Sequence, residues 1–240
     1  MVDIKLINED CLEELQSLDE EVDCVITDPP YNISGQIDDF NFNSGEEWDM
    51  NFGEWDEGEI HPKDWIPFLE DCLSENGTLI SFYNYNFMEH LSIPLRASNF
   101  DIKQKAYWYK TNPLPRVENF KWQDAIEEMF VATKNEGYGH GFQYHEQRHN
   151  VIEAPLCQGK ERYDHPTQKP EEVIETLVKW WTEKGDTVLD PFAGSGTTPA
   201  VCKRMGRDCI AIERDREFYE IMEGRVSEVE EYTDDSVFDY

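Results

Sequence analysis

The stretch that decides the fold is TVLDPFAGSGTTPAVCKRMGRDCIAIE, residues 187–213. It begins with the short apolar run TVLD, passes through a loop with two glycines, and continues into a segment that reads as a helix. A second apolar run, DCIAIE (208–213), ends in Glu213. A strand, a glycine turn, a helix and a second strand predict one unit of a parallel α/β sheet.

The glycine turn of this unit also suggests a ligand. Gly194 and Gly196 would let a ligand approach the backbone at the N-terminus of the following helix. Glu213 stands about 20 residues on, where an acid can accept hydrogen bonds from both hydroxyls of a ribose. The loop lacks the G-x-x-x-x-G-K of a P-loop. The pattern therefore predicts a nucleoside cofactor, with a dinucleotide still compatible and a plain helix-capping turn as the alternative.

Strands and helices alternate along the rest of the chain. Strands are predicted at DIKLIN (3–8), VDCVIT (22–27), GTLISFY (77–83), DIKQKAYWYK (101–110) and AIEEMFVATK (125–134). Helices are predicted between them, and another is predicted to start with Pro170 at its first position. Residues 135–165 read as irregular. The alternation predicts a doubly wound α/β sheet in a single domain, residues 1–240.

The charge of the chain is strongly negative, with 52 acidic against 21 basic residues and a net charge of −31. Acids concentrate in residues 34–62 and in the tail 226–240, and neither segment holds a Lys or Arg. Taken alone, this balance argues against nucleic-acid binding, which normally needs a basic surface. It can instead indicate a high-salt cytoplasm. In residues 96–134 the balance reverses, with seven bases against five acids, so this stretch holds the candidate positive surface.

The other bulk features favour a cytoplasmic protein. No apolar run approaches the roughly 18 residues of a membrane span, and the N-terminus lacks the pattern of a secretion signal. Six cysteines show neither a C-x-x-C pair nor a zinc-ligand spacing, so they are expected to be reduced and buried, with no metal site.

A second motif, VITDPPYNIS (25–34), ends a buried strand with an acid, two prolines and a tyrosine. The amine of a nucleobase is a poor nucleophile, because its lone pair is delocalised into the ring. Two acceptors on its N–H bonds, the Asp28 carboxylate and the Pro29 carbonyl, would localise that lone pair. Pro29 and Pro30 hold the acceptors rigidly, and Tyr31 offers a face on which an extruded base can stack. The alternative is an abrupt turn that only ends the strand.

DPPY, HPTQKP (165–170) and DPFAGSG together resemble the S-adenosylmethionine-dependent amino-methyltransferases of DNA. Their order, with the catalytic motif first and the cofactor loop last, is that of the β group. DPPYNIS with FGEWD further resembles the small adenine methyltransferases of restriction–modification systems. The resemblance implies a circularly permuted, Rossmann-like class I methyltransferase fold, a seven-stranded mixed sheet with helices on both faces. In this fold strands 187–190 and 208–213 return to lie beside strands 22–27 and 3–8.

The resemblance also implies roles for individual residues. The catalytic pocket would consist of Asp28, Pro29, Pro30 and Tyr31. Cofactor-binding residues would be Asp10, His165, Thr167, Lys169, Asp190, Phe192, Ala193, Gly194, Gly196, Thr197 and Glu213. Among these, Glu213 would hold the ribose, Asp10 would lie near the adenine, and the residues of HPTQKP would border the methionine carboxylate. Helix capping is an alternative role for Asp10, and loop packing is one for His165.

DNA recognition is assigned to the loops, because no large insertion resembles a separate target-recognition domain. The candidate regions are 33–62 and 111–165, and the candidate phosphate contacts are Lys105, Lys110, Arg116 and Lys121. The expected substrate is DNA, single- or double-stranded, and the expected product is N6-methyladenine. A homodimer and a cognate restriction endonuclease are compatible partners.

Three other functions stay open at this point. They are cytosine-N4 methylation, methylation of RNA or of a protein amide, and a non-catalytic regulatory protein that uses its acidic surface to mimic DNA.

Overall fold

A mixed sheet of eight strands forms the centre of the protein. The structure is a computed structural model and describes residues 2–31, 40–41, 47–48, 60–115, 122–135, 149–163 and 165–230. The strands are β1 (Ile4–Ile7), β2 (Val22–Thr27), β3 (Phe40–Asn41), β4 (Glu47–Trp48), β5 (Leu73–Tyr83), β6 (Phe100–Lys110), β7 (Ile126–Lys134), β8 (Val151–Ala154), β9 (Thr187–Asp190) and β10 (Asp208–Ile212). The two-residue strands β3 and β4 form a separate antiparallel pair.

Among the described residues, six α-helices pack against the sheet: α1 (Cys11–Ser17), α2 (Pro62–Cys72), α3 (Met88–Ala97), α4 (Glu171–Trp181), α5 (Thr197–Met205) and α6 (Arg216–Glu228). Their ends follow ordinary capping rules. Asp215 caps α6 by accepting hydrogen bonds from two backbone N–H groups of its first turn, and acidic side chains fill the first turn of α4, where the helix dipole favours them.

The order of the strands is β1-β10-β9-β2-β5-β7-β6-β8. Strands β10 and β9, from the end of the chain, insert between β1 and β2, and all four are parallel. Strand β7 is antiparallel to both of its neighbours, β5 and β6. The circular permutation implied by the motif order is therefore confirmed.

The helices form two layers, one on each face of the sheet. Alternation along the strands sends successive side chains into two cores. In β9, Val188 faces the core under α4, α5 and α6, and Leu189 faces the core under α1, α2 and α3. Helix α4 fits this arrangement, since its buried side chains recur at three- and four-residue spacing along one stripe.

Two expectations are wrong in detail, one about the sheet and one about the start of α4. The main sheet has eight strands rather than seven, because β8 lies within the segment 135–165 that reads as irregular. Its sequence, VIEA, is too short for a clear alternation; the indole of Trp108, which donates to the Ala154 carbonyl (2.9 Å), helps to hold it on β6. In addition, Pro170 is the N-cap of α4 and not its first helical residue.

The carboxyl ends of β9 and β2 meet at a topological switch point. The connection from β9 runs through α5 to β10 on one side, whereas the chain leaving β2 reaches β5 through α2 on the opposite face. Ligands of open α/β sheets bind in the crevice that such a divergence creates. The fold therefore places the candidate site at the ends of these two strands.

Two further expectations concern cysteines and membranes. All six cysteines are buried thiols, as expected of small hydrophobic core residues. Within the described part of the chain, none of the helices has the length and apolar content needed to cross a bilayer.

Replacing Ile80 by Ala should lower the free energy of unfolding by about 2–5 kcal/mol. Ile80 lies fully buried in β5 at the centre of the sheet, and truncation would leave a cavity. Ile93→Ala is the matched control, because Ile93 on α3 is 65% exposed and its truncation should change stability by no more than about 0.5 kcal/mol. Urea unfolding of both variants measures the difference. Equal losses would contradict the described burial of β5.

Candidate active site

Four carboxylates follow four adjacent parallel strands. Across the sheet they stand in the order Asp10 after β1, Glu213 after β10, Asp190 at the end of β9, and Asp28 after β2. Because the strands are parallel, all four acids lie along one edge of the sheet. The DPPY motif and the glycine loop both lie at this edge.

The glycine loop between β9 and α5 depends on two left-handed residues. Gly194 has φ 51° and Gly196 has φ 76°, a region that side chains strongly disfavour. Space is short as well: a Cβ at Gly196 would lie 2.6 Å from Met222 Cγ on α6, and one at Gly194 would lie 2.9 Å from His165 Nε2. The glycines therefore let the loop pack against its own protein, a reason for them that is separate from ligand approach.

Glu213 braces this loop. One carboxylate oxygen accepts the Gly194 N–H (2.8 Å) and the other accepts the Asp215 N–H (2.7 Å). Burial raises the pKa of Glu213, and these two N–H groups oppose the rise. Each carboxylate oxygen has two lone pairs, so each keeps one acceptor position for a ligand hydroxyl.

Asp10 is a helix cap, as its alternative role predicts. Its Oδ1 accepts the Leu12 N–H at 2.8 Å, at the start of α1. Its Oδ2 lies 3.7 Å from the Arg214 guanidinium. The cap fixes the carboxylate beside Glu213 and leaves it half-buried at the strand edge, so capping and ligand binding are compatible.

Contacts made by three residues at its start stabilise the glycine loop: Asp190, Phe192 and Ala193. Asp190 accepts the Phe192 N–H (3.2 Å) and the Thr198 hydroxyl (2.7 Å), and burial raises its pKa to about 7. The Phe192 ring packs edge-on against Trp65 (centroids 5.5 Å apart). Ala193 is buried, and its N–H donates to the Ile212 carbonyl.

The segment 165–170 lies against the glycine loop. His165 packs on the Phe218 ring at 4.3 Å, and its Nδ1 accepts the Thr167 N–H at 3.3 Å. Burial lowers the pKa of His165 to about 4, and the Lys169 ammonium acts in the same direction. His165 is therefore a neutral ring that packs in this loop, as its alternative role predicts, while also touching the glycine loop.

The catalytic motif forms a small polar pocket at the end of β2. The Tyr31 hydroxyl donates to Asp28 Oδ1 at 2.6 Å, and the Tyr31 ring packs edge-on against Tyr83 of β5 at 5.4 Å. Pro29 is buried and Pro30 is half-buried. The turn therefore presents the acid and the aromatic ring side by side.

Lys169 occupies a different place from the one implied for it. Its ammonium donates to Asp28 Oδ2 and lies 3.3 Å from Glu127 Oε2, on the target side of the site rather than among the cofactor residues. Glu127, on β7, is also 2.7 Å from the Lys110 ammonium. The pocket thus contains two cations and two carboxylates.

Electrostatics in this cluster favour the charged forms of Lys169 and Glu127 but not that of Asp28. Burial pulls the pKa of Lys169 down, but the Asp28 and Glu127 carboxylates outweigh it and leave that pKa raised. Burial likewise pushes the pKa of Glu127 up, but Lys169 and Lys110 outweigh it and lower that pKa. For Asp28 burial wins over Lys169, and its pKa is raised.

Arg225 of α6 is a further residue that motif reasoning missed. It is 1% exposed and donates to the Thr197 hydroxyl (2.8 Å) and to Glu171 (2.7 Å). The Thr197 hydroxyl in turn donates to the Lys169 carbonyl (3.1 Å). Both of these hydrogen bonds of Thr197 are therefore made within the protein. Helical spacing in the sequence could have identified it. Phe218, Met222 and Arg225 lie on one face of α6, so the pattern places a charged residue at a buried position.

The predicted phosphate contacts are only partly described. Lys105 pairs with Glu128 (2.6 Å) and Lys110 with Glu127 (2.7 Å). Arg116 and Lys121 lie outside the described residues, as do most of 33–62 and 136–148. Both described lysines therefore already have an acidic partner.

Gly196→Ala should lower the affinity for the nucleoside cofactor at least about tenfold and reduce stability by about 1–3 kcal/mol, because the added Cβ forces the loop away from Met222. Gly224→Ala is the matched control: Gly224 lies inside α6 with open space at its Cβ position. Calorimetric titration and thermal unfolding measure the two effects. Unchanged cofactor affinity in Gly196→Ala would refute the placement of the loop.

Comparison with known proteins identifies the family. A family model described as DNA methylase matches residues 22–224. The chain is 29% identical over 247 aligned residues to Type II methyltransferase M.HinfI of Haemophilus influenzae, covering 93% of this chain and 68% of that protein. It is 30% identical over 240 residues to Type II methyltransferase M2.DpnII of Streptococcus pneumoniae, covering 92% and 88%. The crystal structure of the M1.HpyAVI–SAM complex superposes with a TM-score of 0.73 at 25% identity, covering 93% and 99%. The chain belongs to the DNA methylase family.

Proposed function

We propose that this protein transfers a methyl group from S-adenosylmethionine to the N6 amine of an adenine extruded from DNA. The observation that carries the proposal is the pairing of β2 with β9, Cys24 with Val188 and Val25 with Leu189. It brings the Asp28–Tyr31 pocket beside the glycine loop. An acceptor for an amine and a loop suited to a nucleoside therefore share one crevice.

The residues of the cofactor side suit S-adenosylmethionine. Glu213 keeps acceptor capacity for the ribose, and Asp10 stands after the neighbouring strand at the same edge of the sheet. The structure of the similar M1.HpyAVI with SAM supports the same ligand. When bound, this cofactor supplies a methyl group on a sulfonium, which is already activated for transfer.

The chain's own residues would then act on the amine. Asp28 and the Pro29 carbonyl accept its N–H bonds, which localises the nitrogen lone pair, and Tyr31 stacks on the base. The amine nitrogen would take up the methyl group that the sulfonium supplies, the sulfur keeping the bonding electron pair, and the nitrogen would lose one proton. Asp28, with its raised pKa, is the acceptor placed for that proton. Positioning dominates such a displacement.

Adenine N6 is favoured over cytosine N4 by the motif itself. The first position holds Asp28 rather than the Ser expected for cytosine N4. Two relatives at 29% and 30% identity are type II methyltransferases, which supports a site-specific DNA substrate and a restriction–modification setting. A homodimer, a cognate endonuclease and a cytoplasmic location belong to the same proposal.

Asp28→Ala should lower methyl transfer at least about 100-fold, the scale of a lost group in acid–base chemistry. Cofactor affinity should stay within about twofold, since only the target pocket changes. Asp19→Ala, an exposed acid after α1, is the control and should behave like wild type. Tritiated methyl incorporation into adenine-free and cytosine-free oligonucleotides gives the readout. Activity of Asp28→Ala within tenfold of wild type, or transfer to adenine-free DNA, would overturn the assignment.

Replacing Lys105, Lys110, Arg116 and Lys121 together should reduce the slope of log affinity for DNA against log salt by about one to three, because each phosphate contact contributes roughly 0.9. Among the described pairs, Lys105 is 37% exposed and Lys110 only 13%. Lys105→Met should therefore flatten the slope and Lys110→Met should not. DNA binding at several salt concentrations decides. Parallel lines for wild type and the quadruple variant would place the phosphate contacts elsewhere.

A further inference from the structure

A line of alternating charges crosses the target side of the site. Lys110 on β6 lies 2.7 Å from Glu127 on β7, Glu127 lies 3.3 Å from Lys169 before α4, and Lys169 contacts Asp28 after β2. Four different segments contribute one charge each. The arrangement joins the catalytic carboxylate to two residues that no catalytic motif contains, Glu127 and Lys110.

The two strands show that this line is built into the fold. Glu127 stands opposite Trp108 in the register of β6 and β7, and the Lys110 ammonium lies over the Trp108 ring at 5.3 Å. The Lys169 ammonium lies over the Phe82 ring at 5.1 Å. Aromatic faces thus fix both ammonium groups. These positions are on the face of the sheet that packs against α4.

Asp28 needs a free acceptor position to bind a target amine. Its Oδ1 already accepts from Tyr31 and its Oδ2 from Lys169. An ammonium bound to Asp28 alone would compete with the incoming amine for the same carboxylate. A second carboxylate on the other side of the ammonium draws it away and weakens this competition, because Coulomb attraction in a poorly solvated site is strong.

We propose that Glu127, held by Lys110, positions the Lys169 ammonium between two carboxylates, and that this sharing leaves Asp28 able to accept a hydrogen bond from the target amine. The inference rests on the proposed function of Asp28. Glu127 and Lys110 are positioning residues, since they act through Lys169. Lys110 thereby has a role at the reaction site and is not a phosphate contact.

Other ionisable groups near the line do not account for the same effect. Groups that influence Asp28, Glu127 or Lys169, or are influenced by them, are Tyr31, Lys110, Cys157, His165 and Asp190. His165 is neutral and Tyr31 keeps its proton, because burial and Asp28 hold the pKa of Tyr31 high. Burial likewise keeps the thiol of Cys157 protonated, its pKa being raised to about 12. Asp190 belongs to the cofactor loop and is unchanged in the variants below.

Glu127→Gln should lower the single-turnover rate of methylation by roughly 10- to 100-fold, the scale of a misplaced reacting group. The loss of activity at low pH should also move down by about one pH unit, because activity requires ionised Asp28 and the removed anion raised the pKa of Asp28. Lys110→Met should move the same limb upward, since Glu127 then stands uncompensated. The measurement is the pH dependence of the single-turnover rate at saturating cofactor and DNA.

Glu128→Gln is the matched control. Glu128 is the next residue on β7, so it points to the opposite face of the sheet, where it pairs with Lys105. Its rate and pH profile should equal those of wild type. A Glu127→Gln enzyme with the profile and rate of Glu128→Gln would overturn the inference.

A titration that needs no turnover separates this inference from the proposed function. In protein with ¹³C-labelled aspartate carboxyls, the Asp28 signal is assigned by its loss in Asp28→Asn. Its midpoint should fall in Glu127→Gln, rise in Lys110→Met and stay constant in Glu128→Gln. A constant midpoint in all variants overturns the inference even if the protein methylates DNA. Shifted midpoints in a protein that methylates nothing would overturn the proposed function while upholding the shared ammonium.

Discussion

The pairing of β9 with β2 is the constraint on which the site depends. It joins a strand near the start of the chain to one near its end, and only two residue pairs define its register. Through it Asp190 and Asp28 come to neighbouring strand ends, and the connections that leave the two strands diverge to opposite faces. Without this pairing the glycine loop and the DPPY turn would be separate loops on separate sheets, and neither could bind both a cofactor and a base.

The segment before α4 connects the two halves of the crevice, the target pocket and the cofactor loop. The side chain of Lys169 contacts Asp28, and its carbonyl accepts from Thr197 at the start of α5. Arg225 then ties Thr197 to Glu171. Buried charges are costly unless they are paired, and here each pair joins elements that are distant in sequence. These contacts thus connect the target pocket to the cofactor loop through paired polar and charged groups.

The sequence predicts the fold well and the site in part, for reasons that differ by element. Strands such as 22–27 and 187–190 are almost wholly apolar, so their burial in a parallel sheet follows from composition. The four-residue β8 has no such signal, because its place depends on contacts from β6. Within the site, Asp28, Gly194 and Glu213 are visible through motifs. The motifs do not reveal the position of the Lys169 ammonium, because one of its partners, Glu127, comes from a strand more than 40 residues away in sequence.

One consequence of the topology concerns synthesis of the chain on the ribosome. Strand β1 has a single neighbour in the sheet, β10, and the pairs run from Ile4–Cys209 to Ile7–Ile212. Strand β1 must therefore wait for β10, which is translated about 200 residues later, and β2 likewise waits for its partner β9. Contacts between such remote segments slow folding, and unpaired strand edges invite association with other chains. Until β9 and β10 are made, the nascent chain would expose the unpaired edges of β1 and β2, which makes it a natural client for chaperones that bind extended apolar segments.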